Sequence, residues 1–137
     1  MILLDANVLL DLWDCDPIWH SWSMNQMRKL SLVEEFTINQ IIYAEVSSRF
    51  TSVKVLDERL DALSIRLESI PREAAFWAGK AYAHYRRRGG AKSNVLPDFF
   101  IGAHASVLGC PILTRDTQRY KTYFPDVRLI APPPSLS

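Results

Sequence analysis

The chain opens on three apolar residues followed by an acid, Ile2-Leu3-Leu4-Asp5. No polar residue alternates within the run, so neither face of it suits water. A strand that is apolar on both faces belongs inside a parallel sheet, with helices covering both sides. Parallel neighbours cannot be joined by tight turns. They need crossover connections, usually helices, so the rest of the chain must alternate short strands with helical segments.

The remaining sequence meets that demand. Residues 7–13 read as a helix. Asp16-Pro17 reads as the start of a second, with Trp19, Trp22, Met27 and Leu30 roughly along one stripe. Phe36-Thr37-Ile38 is a strand, and a helix follows over about residues 39–50. Val53, Leu56, Leu60 and Leu63 recur at helical spacing within 53–66. Residues 67–70 read as a third strand, and Pro71 opens a helix to about Arg87. Residues 88–96 are a loop. Pro97 starts a strongly apolar helix that stops at Gly109. Residues 110–114 and 127–130 read as the fourth and fifth strands, with a short helix over 117–122 between them. The expected organisation is one α/β domain over residues 1–131, built on a mainly parallel five-stranded sheet flanked by helices, with a Pro-rich tail at 132–137.

Bulk properties exclude several classes. With 137 residues the chain suits one domain with a real core. Sixteen Lys and Arg against 15 Asp and Glu give a formal charge of +1, so attraction to nucleic acid would have to come from local patches. Cys15 and Cys110 have no CxxC or disulfide-framework spacing and read as buried thiols. No apolar run reaches the length of a membrane span, and Met1 leads directly into the first strand with no secretory pattern. The expectation is a cytoplasmic protein with no membrane contact.

Most of the 15 acids lie where a solvated helix face would put them, Asp57, Glu58, Asp61 and Glu73 among them. Four do not. Asp5 sits at the carboxyl end of the first strand, where open α/β sheets bind ligands; an N-cap for the next helix is the plainer role. Glu45 shares a helix face with Ile38, Ile41 and Ile42, which is expected to be buried, so its charge needs a partner, either an arginine or a metal. Asp98 lies in the first turn of the helix opened by Pro97, where the positive helix end favours it. On its face follow Gly102, Ala105 and Gly109, a bare stripe that allows close packing on the sheet. Asp116 follows the fourth strand in Thr114-Arg115-Asp116, where a turn or cap role is also open. His104 falls on another side of its helix and reads as a structural or surface residue.

If the four acids converge, they repel. Like charges about 4 Å apart cost on the order of 4 kcal/mol at an effective dielectric near 20. A divalent cation relieves that repulsion. Oxygen donors without Cys or His favour Mg²⁺ or Mn²⁺ over zinc and suit phosphodiester hydrolysis.

The sequence resembles the PIN-domain ribonucleases, especially the VapC toxins of prokaryotic toxin–antitoxin systems. Four stretches carry the likeness, in order: residues 3–10 (LLDANVLL), 41–46 (IIYAEV), 96–105 (LPDFFIGAHA) and 112–116 (ILTRD). The resemblance implies a sheet order of 3-2-1-4-5 and a metal site at Asp5, Glu45, Asp98 and Asp116. Asn7 and Thr114 match the family's polar positions and are expected to hydrogen-bond the ligands or the attacking water. Ala6 stands where Thr or Ser is often found, at a position that is not a ligand. The resemblance further implies an Mg²⁺- or Mn²⁺-dependent endoribonuclease that leaves a 5′-phosphate, an antitoxin partner and a homodimer.

Arg86, Arg87, Arg88 and Lys92, just before Asp98, are candidate RNA contacts, as are Arg115 and Arg119; a solvated helix end explains the first group equally well. Trp13, Trp19 and Trp22 divide between core packing and a partner surface. Two other readings stand beside the nuclease. A PIN-like binding module would engage RNA or an antitoxin without cleaving. A phosphatase with an aspartyl nucleophile typically needs a second acid two residues on, where this chain has Asn7.

Overall fold

The computed structural model describes residues 1–92 and 95–133. Five strands form one sheet: β1 (Ile2–Leu4), β2 (Phe36–Ile38), β3 (Ile65–Leu67), β4 (Ile112–Leu113) and β5 (Leu129–Ile130). Their order is β3-β2-β1-β4-β5, and every pair is parallel. Seven helices flank the sheet among the described residues: α1 (Ala6–Trp13), α2 (His20–Leu30), α3 (Gln40–Ser47), α4 (Val53–Ala62), α5 (Arg72–Arg87), α6 (Leu96–Leu108) and α7 (Gln118–Tyr123).

All three residues of β1 are buried, as their unbroken apolar run requires. β1 bonds on both edges, with Leu3 opposite Thr37 of β2 and Ile112 of β4. The chain runs from β1 outward to β3, then returns across to β4 and β5. β1 and β4 therefore flank the point where the winding reverses, the place where open α/β sheets form their ligand crevice, beyond the carboxyl ends of the strands.

Several boundaries differ from the sequence expectation. α2 begins only at His20. Asp16 instead caps a turn, its side chain accepting from the backbone N–H groups of Ile18 at 2.9 Å and Trp19 at 2.8 Å. α3 stops at Ser47 and α4 at Ala62. Ser64 then takes a left-handed conformation, φ 56°, which turns the chain and starts β3 at Ile65, two residues earlier than the apolar pattern suggests. β4 and β5 keep only the residues that pair. Cys15, expected to be buried, is exposed, because the left-handed turn at φ 50° that ends α1 aims it outward; Cys110 is buried. Ser93 and Asn94 of the loop, and the tail from residue 134, lie outside the described residues.

The small residues of α6 serve two ends. Gly109 caps the helix in the left-handed conformation, φ 66°, as its position after the last apolar residue suggests. Gly102 makes room not for the sheet but for Phe124: a Cβ on it would lie 2.3 Å from that ring. Phe124 ends α7, so this gap sets how closely α7 docks against α6. Gly102→Val is expected to destabilise the fold by roughly 1–3 kcal/mol through overpacking. Urea unfolding of Gly102→Val, with and without Phe124→Ala, checks this; the second change should restore part of the loss.

Candidate active site

Asp5 continues from β1 directly into α1 and serves both. It is the N-cap residue of α1, with Oδ1 accepting from the Ala6 backbone N–H at 2.8 Å. Its Oδ2 accepts two hydroxyl protons, from Thr114 at 2.9 Å and from Tyr120 at 2.8 Å. The plainer cap role and a place in the site are thus both occupied by one carboxylate. Burial nonetheless dominates and pushes Asp5 up to about 6, the hydroxyl bonds opposing and the charge of Asp98 adding to the rise.

Thr114 follows β4 and is fully buried. Its hydroxyl oxygen lies 3.2 Å from Asn7 Nδ2 and 3.0 Å from the Asp116 backbone nitrogen, both of which donate to it. It also lies 3.1 Å from the Asp116 carbonyl. Asn7 in turn accepts from the Arg115 backbone N–H at 3.3 Å. The first turn of α1 and the loop after β4 are thereby stitched together, and Asp116, exposed at the tip, is carried by that loop.

Glu45 departs from expectation. The buried positions of α3 are Ile42 and Val46, while Glu45 is exposed beside them. One residue of helical rotation, 100°, carries it from the apolar stripe to its rim. Its carboxyl is still pushed up to about 7, first by desolvation and then by the charges of Asp5 and Asp98. Asp98, half-buried at the start of α6, is raised by desolvation and lowered by Arg119, with Asp116 opposing. Arg119 Nη1 lies 2.9 Å from Asp98 Oδ2. The four acids therefore sense one another pairwise across the crevice. Asp5 acts on Glu45, Asp98 acts on both, and Asp116 acts on Asp98.

All the donors are carboxylate oxygens, and burial makes the ionised forms of Asp5, Glu45 and Asp98 costly, so their chemistry fits a hard divalent cation. Among the described residues, no three His, Cys, Asp or Glu side chains stand in position to hold one ion as they are arranged. Asp98 is paired with Arg119, and Asp5 carries two hydroxyl donors.

Two residues gain roles that sequence reading did not assign. Tyr120 on α7 is 2% exposed and donates to Asp5; burial and the neighbouring acids hold its hydroxyl protonated. His104 takes the structural of the two places open to it and is fully buried. Its Nδ1 lies 3.0 Å from Asn39 Nδ2, and the same Asn39 caps α3 by accepting from the Ile42 N–H at 3.1 Å. Asn39 thus ties α6, which carries Asp98, to α3, which carries Glu45. Helix periodicity places His104 away from Asp98, but only the tertiary packing shows what it meets.

Arg115, one of the candidate RNA contacts, is committed elsewhere. Its guanidinium makes two bonds to Asp11, Nε at 2.8 Å and Nη2 at 3.0 Å, and lies 5.4 Å from the Trp19 ring centroid. Asp11 is 2% exposed and, among the described residues, has only Ser23 as a further side-chain donor. Arg86, Arg87, Arg88 and Lys92 are exposed at and just beyond the end of α5. Tyr85 of the same helix packs beside Arg119, so this basic segment adjoins the Asp98 side of the crevice. A groove of about 780 Å³, lined by Trp13, Met24, Met27, Phe36 and Ile65 among others, lies near the opposite, amino ends of β2 and β3, away from these four acids.

Removing the guanidinium in Arg115→Ala leaves Asp11 buried without its counter-charge and is expected to cost roughly 3 kcal/mol of stability, read by urea unfolding. A loss near zero would return Arg115 to the set of free cations. Asp5 makes stability pH-dependent with a definite sign. Its folded pKa of about 6 lies above the unfolded 3.8, so its contribution is complete below pH 3.8 and is lost as pH rises through about 6. Cation-free protein should lose on the order of 2–3 kcal/mol from this group between pH 4 and 7. Unfolding of wild type and Asp5→Asn across that range checks it, since the asparagine variant should show a flatter profile.

Comparison with known proteins places these features in a family. The family described as the PIN domain matches residues 2–125. No curated protein matches the chain. Among solved structures, VapBC2 from Rickettsia felis, bound to a DNA fragment from its promoter, matches with TM-score 0.73 at 19% identity, covering 97% of this chain and 100% of that one. FitAcB from Neisseria gonorrhoeae gives TM-score 0.66 at 23% identity, covering 95% and 96%. A toxin–antitoxin complex from Klebsiella pneumoniae gives TM-score 0.67 at 21% identity, covering 97% and 98%. At such identities the likeness to these structures is one of fold. The family match spans most of the sequence, and the chain belongs to the PIN domain family.

Proposed function

We propose that the protein is an endoribonuclease dependent on Mg²⁺ or Mn²⁺, and the toxin of a toxin–antitoxin pair. One observation carries the reading: at the switch point of a parallel sheet three acids from three different elements are raised by burial first and then by their acidic neighbours, Asp5 by Asp98, Glu45 by Asp5 and Asp98, and Asp98 by Asp116. Membership of the PIN domain family supports a nuclease. The toxin–antitoxin character of the similar complexes supports an antitoxin partner.

In this proposal Asp5, Asp98 and Asp116, with Glu45 at the rim, hold the cation. When bound, the cation supplies a water of lowered pKa and stabilises charge on the scissile phosphate. The chain's own groups do the positioning. Thr114 and Tyr120 aim Asp5 by donating to one of its oxygens, and Asn7 holds the loop that presents Asp116. Their bonds fix the carboxylates before substrate arrives, so little ordering remains to be done at the reaction step. Attack is by water, in line, leaving a 5′-phosphate, and no side chain serves as nucleophile.

RNA is the proposed substrate, with Arg86, Arg87, Arg88 and Lys92 as phosphate contacts. The proposal also includes a homodimer, a single nuclease domain over 1–131 and a cytoplasmic location. No helix of the described residues is long and apolar enough to cross a membrane. Phe76 and Trp77, 55% and 52% exposed on α5, offer an aromatic surface of the kind interfaces use.

Cleavage of labelled RNA with Mn²⁺, with EDTA, and by Asp98→Asn and Asp116→Asn tests the proposal. Each substitution, and EDTA, should lower the rate on the order of a hundredfold or more while the variants stay folded. Equal cleavage by wild type and both variants, purified free of host nuclease, would remove these acids from the chemistry. A wild type that binds its antitoxin and cleaves nothing would make the protein a binding module.

A further inference from the structure

α7 turns two consecutive side chains toward the acids. Tyr120 reaches Asp5, and Arg119 reaches Asp98. The two arginines near the site are held very differently. Arg115 grips a buried carboxylate through two nitrogens. Arg119 makes a single bond to one oxygen of Asp98, and the two side chains are 22% and 29% exposed. Its guanidinium carbon also lies 5.8 Å from the centroid of the Tyr85 ring, so it has a second seat beside the first.

We propose that Arg119 is a positioning residue of the site: it holds Asp98 while no cation is present, yields Asp98 to the incoming divalent cation, and then contacts a phosphate of the substrate. This rests on the divalent-cation nuclease reading above. A guanidinium and a divalent cation on the same carboxylate repel each other, since each is positive and each is strengthened by having the carboxylate's charge to itself. The cation carries twice the charge, and the single, partly hydrated bond of Arg119 is the weaker competitor. Once released, the guanidinium is kept near by the face of Tyr85 and has lost its anion. The group that the site would then receive, a phosphodiester, offers acceptor oxygens of matching geometry.

Calorimetric titration of the full-length protein with Mn²⁺, for wild type, Arg119→Gln and Arg119→Lys, reads the first half. Arg119→Gln should bind Mn²⁺ about two- to fivefold more tightly, the range returned by removing a partly exposed ion pair, and Arg119→Lys should stay near wild type. A purely structural arginine would give the opposite sign or no change. Fluorescence anisotropy on a labelled pool of single-stranded oligoribonucleotides at saturating Mn²⁺ reads the second half, where Arg119→Gln should bind more weakly than wild type. If wild type binds Mn²⁺ and Arg119→Gln binds it no more tightly, or holds RNA equally well, the inference falls and the nuclease reading stands. If neither protein binds Mn²⁺, the nuclease reading falls and takes the inference with it.

Discussion

β1 has three residues, no exposed face and a hydrogen-bonded neighbour on each edge. A strand this short gains little from its own ladder and is held by burial, which forces helices to cover both of its faces. It also fixes one point in space, the place where Leu4 gives way to Asp5. The backbone N–H of Asp5 still bonds to Leu113 of β4 at 3.0 Å, so the sheet's register runs straight into the carboxylate. The other acids arrive by way of their elements. α3 follows β2 beside β1, the loop after β4 lies on its other edge, and α6 is joined to the start of α3 through Asn39 and His104.

Much of this was legible in the sequence because it depends on local rules. An apolar run with no alternation identifies an interior strand. Pro97 and Gly109 bracket a helix by backbone chemistry alone, and the strand-ending acids Asp5 and Asp116 stand out by position. What could not be read depends on distances between segments far apart in sequence. Tyr120 looks like any aromatic on a short helix until the loop after Thr114 turns it onto Asp5. Arg115 looks like a free cation beside an acid until α1 brings Asp11 to it. Glu45 shows the limit of counting by periodicity. Helical spacing puts it on the apolar side, but the difference between the buried stripe and its rim is a single residue of rotation, and Ile42 and Val46 take the stripe. The β3 boundary was missed for another reason. The apolar pattern runs on past Leu63, and only the left-handed turn at Ser64 interrupts it.

Like charges gathered in one crevice would push the fold apart if each were left bare. Each carboxylate meets that repulsion in its own way. Asp5 is surrounded by donors, Asp98 has a cation, and Asp116 and Glu45 keep contact with water. The most buried of these four has hydrogen bonds instead of a counter-ion, which suits it. Dipoles fixed by the fold stay in place, whereas a mobile counter-charge can be exchanged.

The hydroxyl of Thr114 carries one hydrogen and faces two acceptors, Asp5 Oδ2 at 2.9 Å and the Asp116 carbonyl at 3.1 Å. It can serve only one at a time. While Asp5 is ionised, the carboxylate is the stronger acceptor and takes the proton. The Asp116 carbonyl then keeps its place beside a hydroxyl whose own oxygen accepts from the Asp116 backbone N–H, so the loop at the lip is held to the same atom that holds the carboxylate at the foot of the crevice.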